Sequence, residues 1–75
     1  MSRMPQVTAR ELISFLRAKG FVEDRHSGSH LTLWHDQRKL SITVPVHTGC
    51  EIGRGLAVRL LKDAGFTVED YLAWK

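Results

Sequence analysis

The sequence predicts an α+β fold in the order α-β-β-β-α with a short terminal helix, and three observations predict it. A capped run with helical spacing opens the chain. Runs with period-two alternation, separated by short turns, fill its middle, and a second helical stripe follows. Three consecutive strands with short connections make an antiparallel sheet, whose apolar face needs the helices as a second layer. The 75 residues are expected to form a single domain over 1–75. A chain this size buries only about 60% of its unfolded surface, so the core is small. A hydrophobic content of 43% still argues for a folded globule rather than a disordered tail.

Met1 to Val7, with Pro5, reads as a loosely held leader. Thr8-Ala9-Arg10-Glu11 is a capping box, in which the Thr8 hydroxyl accepts from a first-turn N–H and Glu11 reaches back. Ala9, Leu12, Ile13 and Leu16 form the helical stripe, with Phe15 flanking it. Gly20 ends the helix in a left-handed cap, and Phe21 packs back on Leu16. Phe21 to Arg25 is the first strand and His26 to Ser29 a turn. His30 to His35 is the second strand, with Leu31 and Leu33 on one side and His30, Thr32 and Trp34 on the other. His35 falls in the apolar register and ends the strand. Asp36 to Lys39 is a hairpin loop. Leu40 to Val44 is the third strand, with Ser41 and Thr43 opposite its apolar face, and Pro45 stops it by removing a ladder donor.

Val46 to Glu51 is a loop carrying His47, Gly49 and Cys50. Gly53 to Ala64 is the second long helix, with Leu56, Ala57, Leu60, Leu61 and Ala64 as its stripe and Gly65 as its cap. Thr67 opens the last short helix, from which Tyr71, Leu72 and Trp74 close the core.

The single cysteine excludes an internal disulfide and fits a reducing, cytoplasmic setting. There is no apolar run of signal-peptide or membrane-span length, so no membrane partner is expected. The net charge of +3 permits a polyanionic partner without proving one. Arg25, Arg38, Lys39, Arg54, Arg59 and Lys62 sit around the turns and the second helix.

The chemistry-bearing segment is Ser27-Gly28-Ser29-His30. A glycine turn that delivers an imidazole to an open sheet face holds a proton-transfer group where a substrate can reach it. Imidazole could take the proton of a ribose 2′-hydroxyl, which then attacks the adjacent phosphate. Gly28 would admit a phosphate or a backbone closely. The competing reading is an ordinary surface turn. Arg25 is the best-placed phosphate contact. Arg54 could add its charge to the orphan N–H groups of a helix start. Trp34 could stack a base, anchor a protein or cover the sheet edge. His26 and His47 are open candidates for a general acid. A metal site from His26, His30 and His47 has no supporting ligand spacing, so neither metal nor cofactor is expected. Ser29 as a nucleophile lacks an orienting acid, and Cys50 shows no sign of activation.

Taken in order, several segments resemble the HicA-type mRNA interferase toxins of bacterial and archaeal type II toxin–antitoxin modules. They are Thr8 to Ile13 ending in Gly20-Phe21, then Arg25 to His30, then Thr43 to His47. Glu51 to Gly55 follows, leading into Leu60 to Gly65 and Thr67 to Leu72. The family's usual Pro-Gly pair before the second helix reads Arg54-Gly55 here. The resemblance implies a double-stranded-RNA-binding-domain-like fold. It implies a metal-independent endoribonuclease that cuts mRNA and arrests translation, and a HicB antitoxin that covers its active face. The family's catalytic histidine maps onto His30 and its glycine onto Gly28. The expected state is a monomer when free and a hetero-oligomer with the antitoxin. A non-catalytic RNA-binding or antitoxin-binding module is the alternative.

Overall fold

The computed structural model describes residues 3–46 and 51–75; His47, Gly49 and Cys50 lie outside the described residues. The chain runs β1 (Val7–Thr8), α1 (Ala9–Ala18), β2 (Val22–Ser27), β3 (His30–His35), β4 (Leu40–Pro45), β5 (Glu51–Ile52), α2 (Arg54–Asp63) and α3 (Val68–Trp74). β2, β3 and β4 form a three-stranded antiparallel sheet with β3 at its centre. The expected α+β order is therefore present, with helices on one face of the sheet.

Each helix begins or ends where its residues dictate. At α1, Glu11 N–H donates to Thr8 Oγ1 at 3.1 Å and Thr8 N–H to Glu11 Oε1 at 2.9 Å, which completes the capping box. Thr67 and Asp70 repeat the device at α3, at 3.1 and 2.9 Å. The two long helices end in matching Schellman turns. Gly20 N–H donates to Arg17 O and Phe21 N–H to Leu16 O, while Gly65 N–H donates to Lys62 O and Phe66 N–H to Leu61 O.

The β3–β4 loop grips both of these helix ends. His35, only 8% exposed, donates from Nε2 to Lys19 O at 3.1 Å and accepts Arg38 N–H at Nδ1, also at 3.1 Å. A carbonyl only accepts and an amide N–H only donates, so the ring is the neutral Nε2–H tautomer. Arg38 Nη1 donates to Ala64 O at 2.8 Å, and its guanidinium lies 4.6 Å from the centre of the Phe66 ring.

Several expectations are corrected. The described part of the leader is not loose: Met4 and Val7 are buried, and Val7 pairs with Ile52 in a second, two-stranded sheet. Strands of two residues are too short to show alternation. The first strand starts at Val22 and continues through His26 to Ser27, because Phe21 belongs to the Schellman turn and the hairpin turn has only Gly28 and Ser29 at its centre. Pro45 is the last residue of β4 rather than its stop; it sits on an edge strand, where no ladder donor is missed. Phe15 is at the centre of the α1 stripe, and Ile13 flanks it. Leu56 is 41% exposed, since Ala57, Leu60, Leu61 and Ala64 already complete the buried face of α2. Among the described residues, no helix is long and apolar enough to cross a membrane.

Candidate functional site

The Gly28 turn joins β2 to β3 with two central residues. Gly28 has φ +58 and Ser29 does not have positive φ, the pattern of a type II′ hairpin turn, whose twist matches that of the flanking strands. A Cβ on Gly28 would meet nothing within 4 Å, so conformation, not crowding, demands glycine there. Val46 N–H donates to Ser29 O at 2.6 Å and ties the end of β4 to the turn. The turn is thereby held from a third strand, although it is a surface feature.

His30 is exposed at the start of β3, opposite Ser27 on one side and Pro45 on the other. Residues paired across an antiparallel ladder share a face. The burial of β3 alternates as expected: Leu31, Leu33 and His35 are buried, while His30 is exposed and Thr32 and Trp34 are half-buried. The open face therefore carries His30, Thr32 and Trp34 from β3 and Ser41, Thr43 and Pro45 from β4. The Thr32 and Thr43 hydroxyls hydrogen-bond to each other at 3.1 Å on this face.

The two-residue turn and a bulge in β2 together decide what that strand contributes. Glu23 pairs with Leu33 and Arg25 with Thr32, so Asp24 is the extra residue. Past the bulge the alternation is reset. Arg25 and Ser27 share the open face with His30, and His26, paired with Leu31, lies on the helix-side face. With Ser27 held opposite His30 by the two-residue turn, an uninterrupted ladder would oppose Asp24 to Leu33 and Glu23 to Trp34. The turn thus sets Arg25 on the face of His30 and His26 on the other, and the bulge brings Val22 rather than Glu23 opposite Trp34. Among the paired residues of the open face, the ionisable side chains are Arg25 and His30.

Trp34 stands at the other end of the face, opposite Val22 in β2 and Ser41 in β4. Val22 is 56% exposed, so an apolar patch extends the indole toward the sheet edge. Gly28, Ser29, Arg25, His30 and Trp34 therefore lie along one surface. Arg54 does not join them. It begins α2 and lines a separate groove with Arg3, Met4, Gly55 and Val58. His35 lies on the helix side and is about 16 Å along the strand from His30.

A family model described as the HicA toxin of bacterial toxin–antitoxin systems matches residues 9–66. The chain belongs to the HicA toxin family. It is accordingly a toxin of a toxin–antitoxin system, and an antitoxin partner is implied. A search of curated proteins returned no match. The HicA match runs from the first helical residue to the Phe66 turn and so includes the whole open face.

Within this HicA chain, alternation alone was enough to find the open face of β3 and β4. It missed Val22 and the facing of Arg25. Val22 depends on the bulge at Asp24, for which Glu23-Asp24-Arg25 carries no glycine or other marker, and Arg25 depends on a turn of only Gly28 and Ser29.

Proposed function

We propose that this HicA-family chain is an endoribonuclease that cleaves mRNA, with His30 as general base, and that a HicB-type antitoxin neutralises it in the cytoplasm. A neutral imidazole nitrogen of His30 takes the proton of a ribose 2′-hydroxyl. The 2′-oxygen bonds to the adjacent phosphorus, and the bond from phosphorus to the 5′-oxygen breaks. The products are a 2′,3′-cyclic phosphate and a 5′-hydroxyl, whose oxygen is protonated by solvent. The base then returns its proton to solvent. No step needs a metal or an external nucleophile.

The observation that supports this reading is the open face shared by His30 and Arg25 beside a glycine turn with free space in front of it. Arg25 stabilises charge on the scissile phosphate, and Gly28 and Ser29 let that phosphate approach. Arg54, on its separate groove, meets a more distant phosphate. His26 is not assigned the acid role, because it lies on the opposite face of the sheet.

The deciding experiment compares the wild-type chain with His30→Ala. The variant should keep its circular dichroism spectrum and lose both cleavage and growth arrest. General acid–base catalysis contributes about 10²–10⁴-fold, so the loss should be of that order or larger. Full toxicity of a well-expressed His30→Ala chain would overturn the assignment, as would wild-type protein that binds RNA and leaves it intact. Cleavage should persist in excess chelator and fail on RNA with 2′-deoxyribose at the scissile position.

A further inference from the structure

The open face extends beyond the reacting groups, and its composition points to a particular form of RNA. Along β3, Trp34 is four residues from His30, about 13 Å at ordinary strand rise. Both side chains project from the same face, with the Thr32–Thr43 hydroxyl pair between them. The indole is half-buried, continuous with exposed Val22, and flanked by Ser41 rather than by a charge. Arg25 is the paired cation of the face, which complements a polyanion, and Val22 rather than Glu23 stands beside the indole.

We propose that this face is a single-stranded RNA track, with Trp34 a base-stacking subsite roughly two or three nucleotides of splayed strand from the bond that His30 attacks. The proposal rests on the ribonuclease reading and names its substrate class. Bases within a duplex already stack on one another and present no free face to a side chain, whereas unpaired bases stack on exposed aromatics. Fold likeness to double-stranded-RNA-binding domains would suggest a duplex, but substrate choice follows the site rather than the fold. The track is short, polar at its centre and aromatic at one end. Those features suit a phosphate at His30 and Arg25 and a base at Trp34.

The test uses the full chain and a short 2′-O-methyl oligoribonucleotide, which cannot be cleaved, either single-stranded or annealed to its complement. Trp34→Leu retains apolar bulk and loses the stacking plane; Trp34→Phe retains the plane. The expected result is preference for the single strand, about tenfold weaker binding by Trp34→Leu, and recovery of most of the loss by Trp34→Phe. Trp34→Leu should leave the salt dependence unchanged, whereas Arg25→Ala should reduce its slope. With cleavable RNA, Trp34→Leu should raise KM more than it lowers kcat. That penalty should vanish on a substrate trimmed to the nucleotides flanking the scissile bond. Equal or tighter binding of the duplex would overturn the proposal. So would unchanged single-strand binding by Trp34→Leu, including the case in which that variant loses only capture of an antitoxin. The binding arms do not depend on cleavage, so failure of His30 as the base would be seen separately.

Discussion

Two glycines with positive φ show how differently the same residue can be required. At Gly28, with φ +58, no neighbour lies where a Cβ would be. Gly28→Ala should therefore cost only the penalty of a positive-φ turn position, about 1–3 kcal/mol, measured by urea denaturation. Gly20 has φ +104, and a Cβ there would lie 2.7 Å from His35 Nε2. Gly20→Ala adds displacement of a buried, doubly hydrogen-bonded ring to the backbone penalty. It should be clearly the more destabilising of the two. Arg25 presents a different residue-scale question. On the ribonuclease reading, Arg25→Ala removes a charge-assisted phosphate contact of about 1.5–3 kcal/mol and should lower kcat/KM by roughly tenfold or more. Asp24→Asn, one residue away on the bulge, should change it little.

The helix caps carry the element-scale predictions. Thr8→Ala removes the acceptor for Glu11 N–H and should destabilise the chain by about 1 kcal/mol, read as a lower midpoint of denaturation. The same cap has a pH signature. The hydrogen bond from the Thr8 backbone, aided by the Thr8 hydroxyl, holds the Glu11 carboxyl below its usual value against a smaller opposing effect of burial. A lowered folded pKa means that the unfolded chain binds more protons in the interval between the two values. The contribution is present above the ordinary glutamate range and is lost as pH falls through the lowered value. Glu11→Gln should therefore flatten the acid limb of the stability curve, and Thr8→Ala, which keeps the backbone donor, should change it less. At the start of α2, Gly53 supplies no side-chain cap, and a Cβ would meet nothing there. Gly53→Ser should stabilise by a few tenths of a kcal/mol.

At the scale of the whole molecule, one loop organises the sheet and both long helices. His35 and Arg38 hold the last carbonyls of the α1 and α2 caps from the same β3–β4 hairpin. On the other side of α1, Phe15 receives Phe66, Tyr71 and Trp74 edge-on, with centroids 5.2, 5.3 and 5.5 Å away. The helix-side layer is therefore anchored at the end of the sheet away from His30, leaving the opposite face of the sheet open. Tyr71, almost fully buried, reports on that packing. Burial, and to a lesser degree the Glu11 charge, push its hydroxyl above the usual tyrosine range. The folded chain then keeps its proton while the unfolded chain releases it. Stability is whole below about pH 10 and declines as pH rises through the raised value. Tyr71→Phe should remove that alkaline decline, which a pH series of thermal melts would measure.

Much of this architecture was legible in the chain. Thr8-Ala9-Arg10-Glu11, the Gly20-Phe21 and Gly65-Phe66 pairs and the alternation of Leu31 to Trp34 report local physics: hydrogen bonds within a turn, left-handed caps, and one buried face. The open face of β3 and β4, with His30 on it, followed from the same alternation. Other features depended on contacts between distant segments. The β1–β5 ladder joins pieces too short to show a period, so the leader looked loose until Val7 met Ile52. The roles of His35 and Arg38 exist only because two helix ends arrive at one loop. Most consequential are the two-residue turn, which fixes the facing of Arg25 and His26, and the bulge at Asp24, which puts Val22 rather than Glu23 opposite Trp34. Facing along a strand has period two, so a single extra residue reverses everything beyond it. Sequence alone offered His30, Gly28 and Arg25 as candidates. Only the tertiary pairing decided that Arg25 stands on the same face as His30 and that His26 does not.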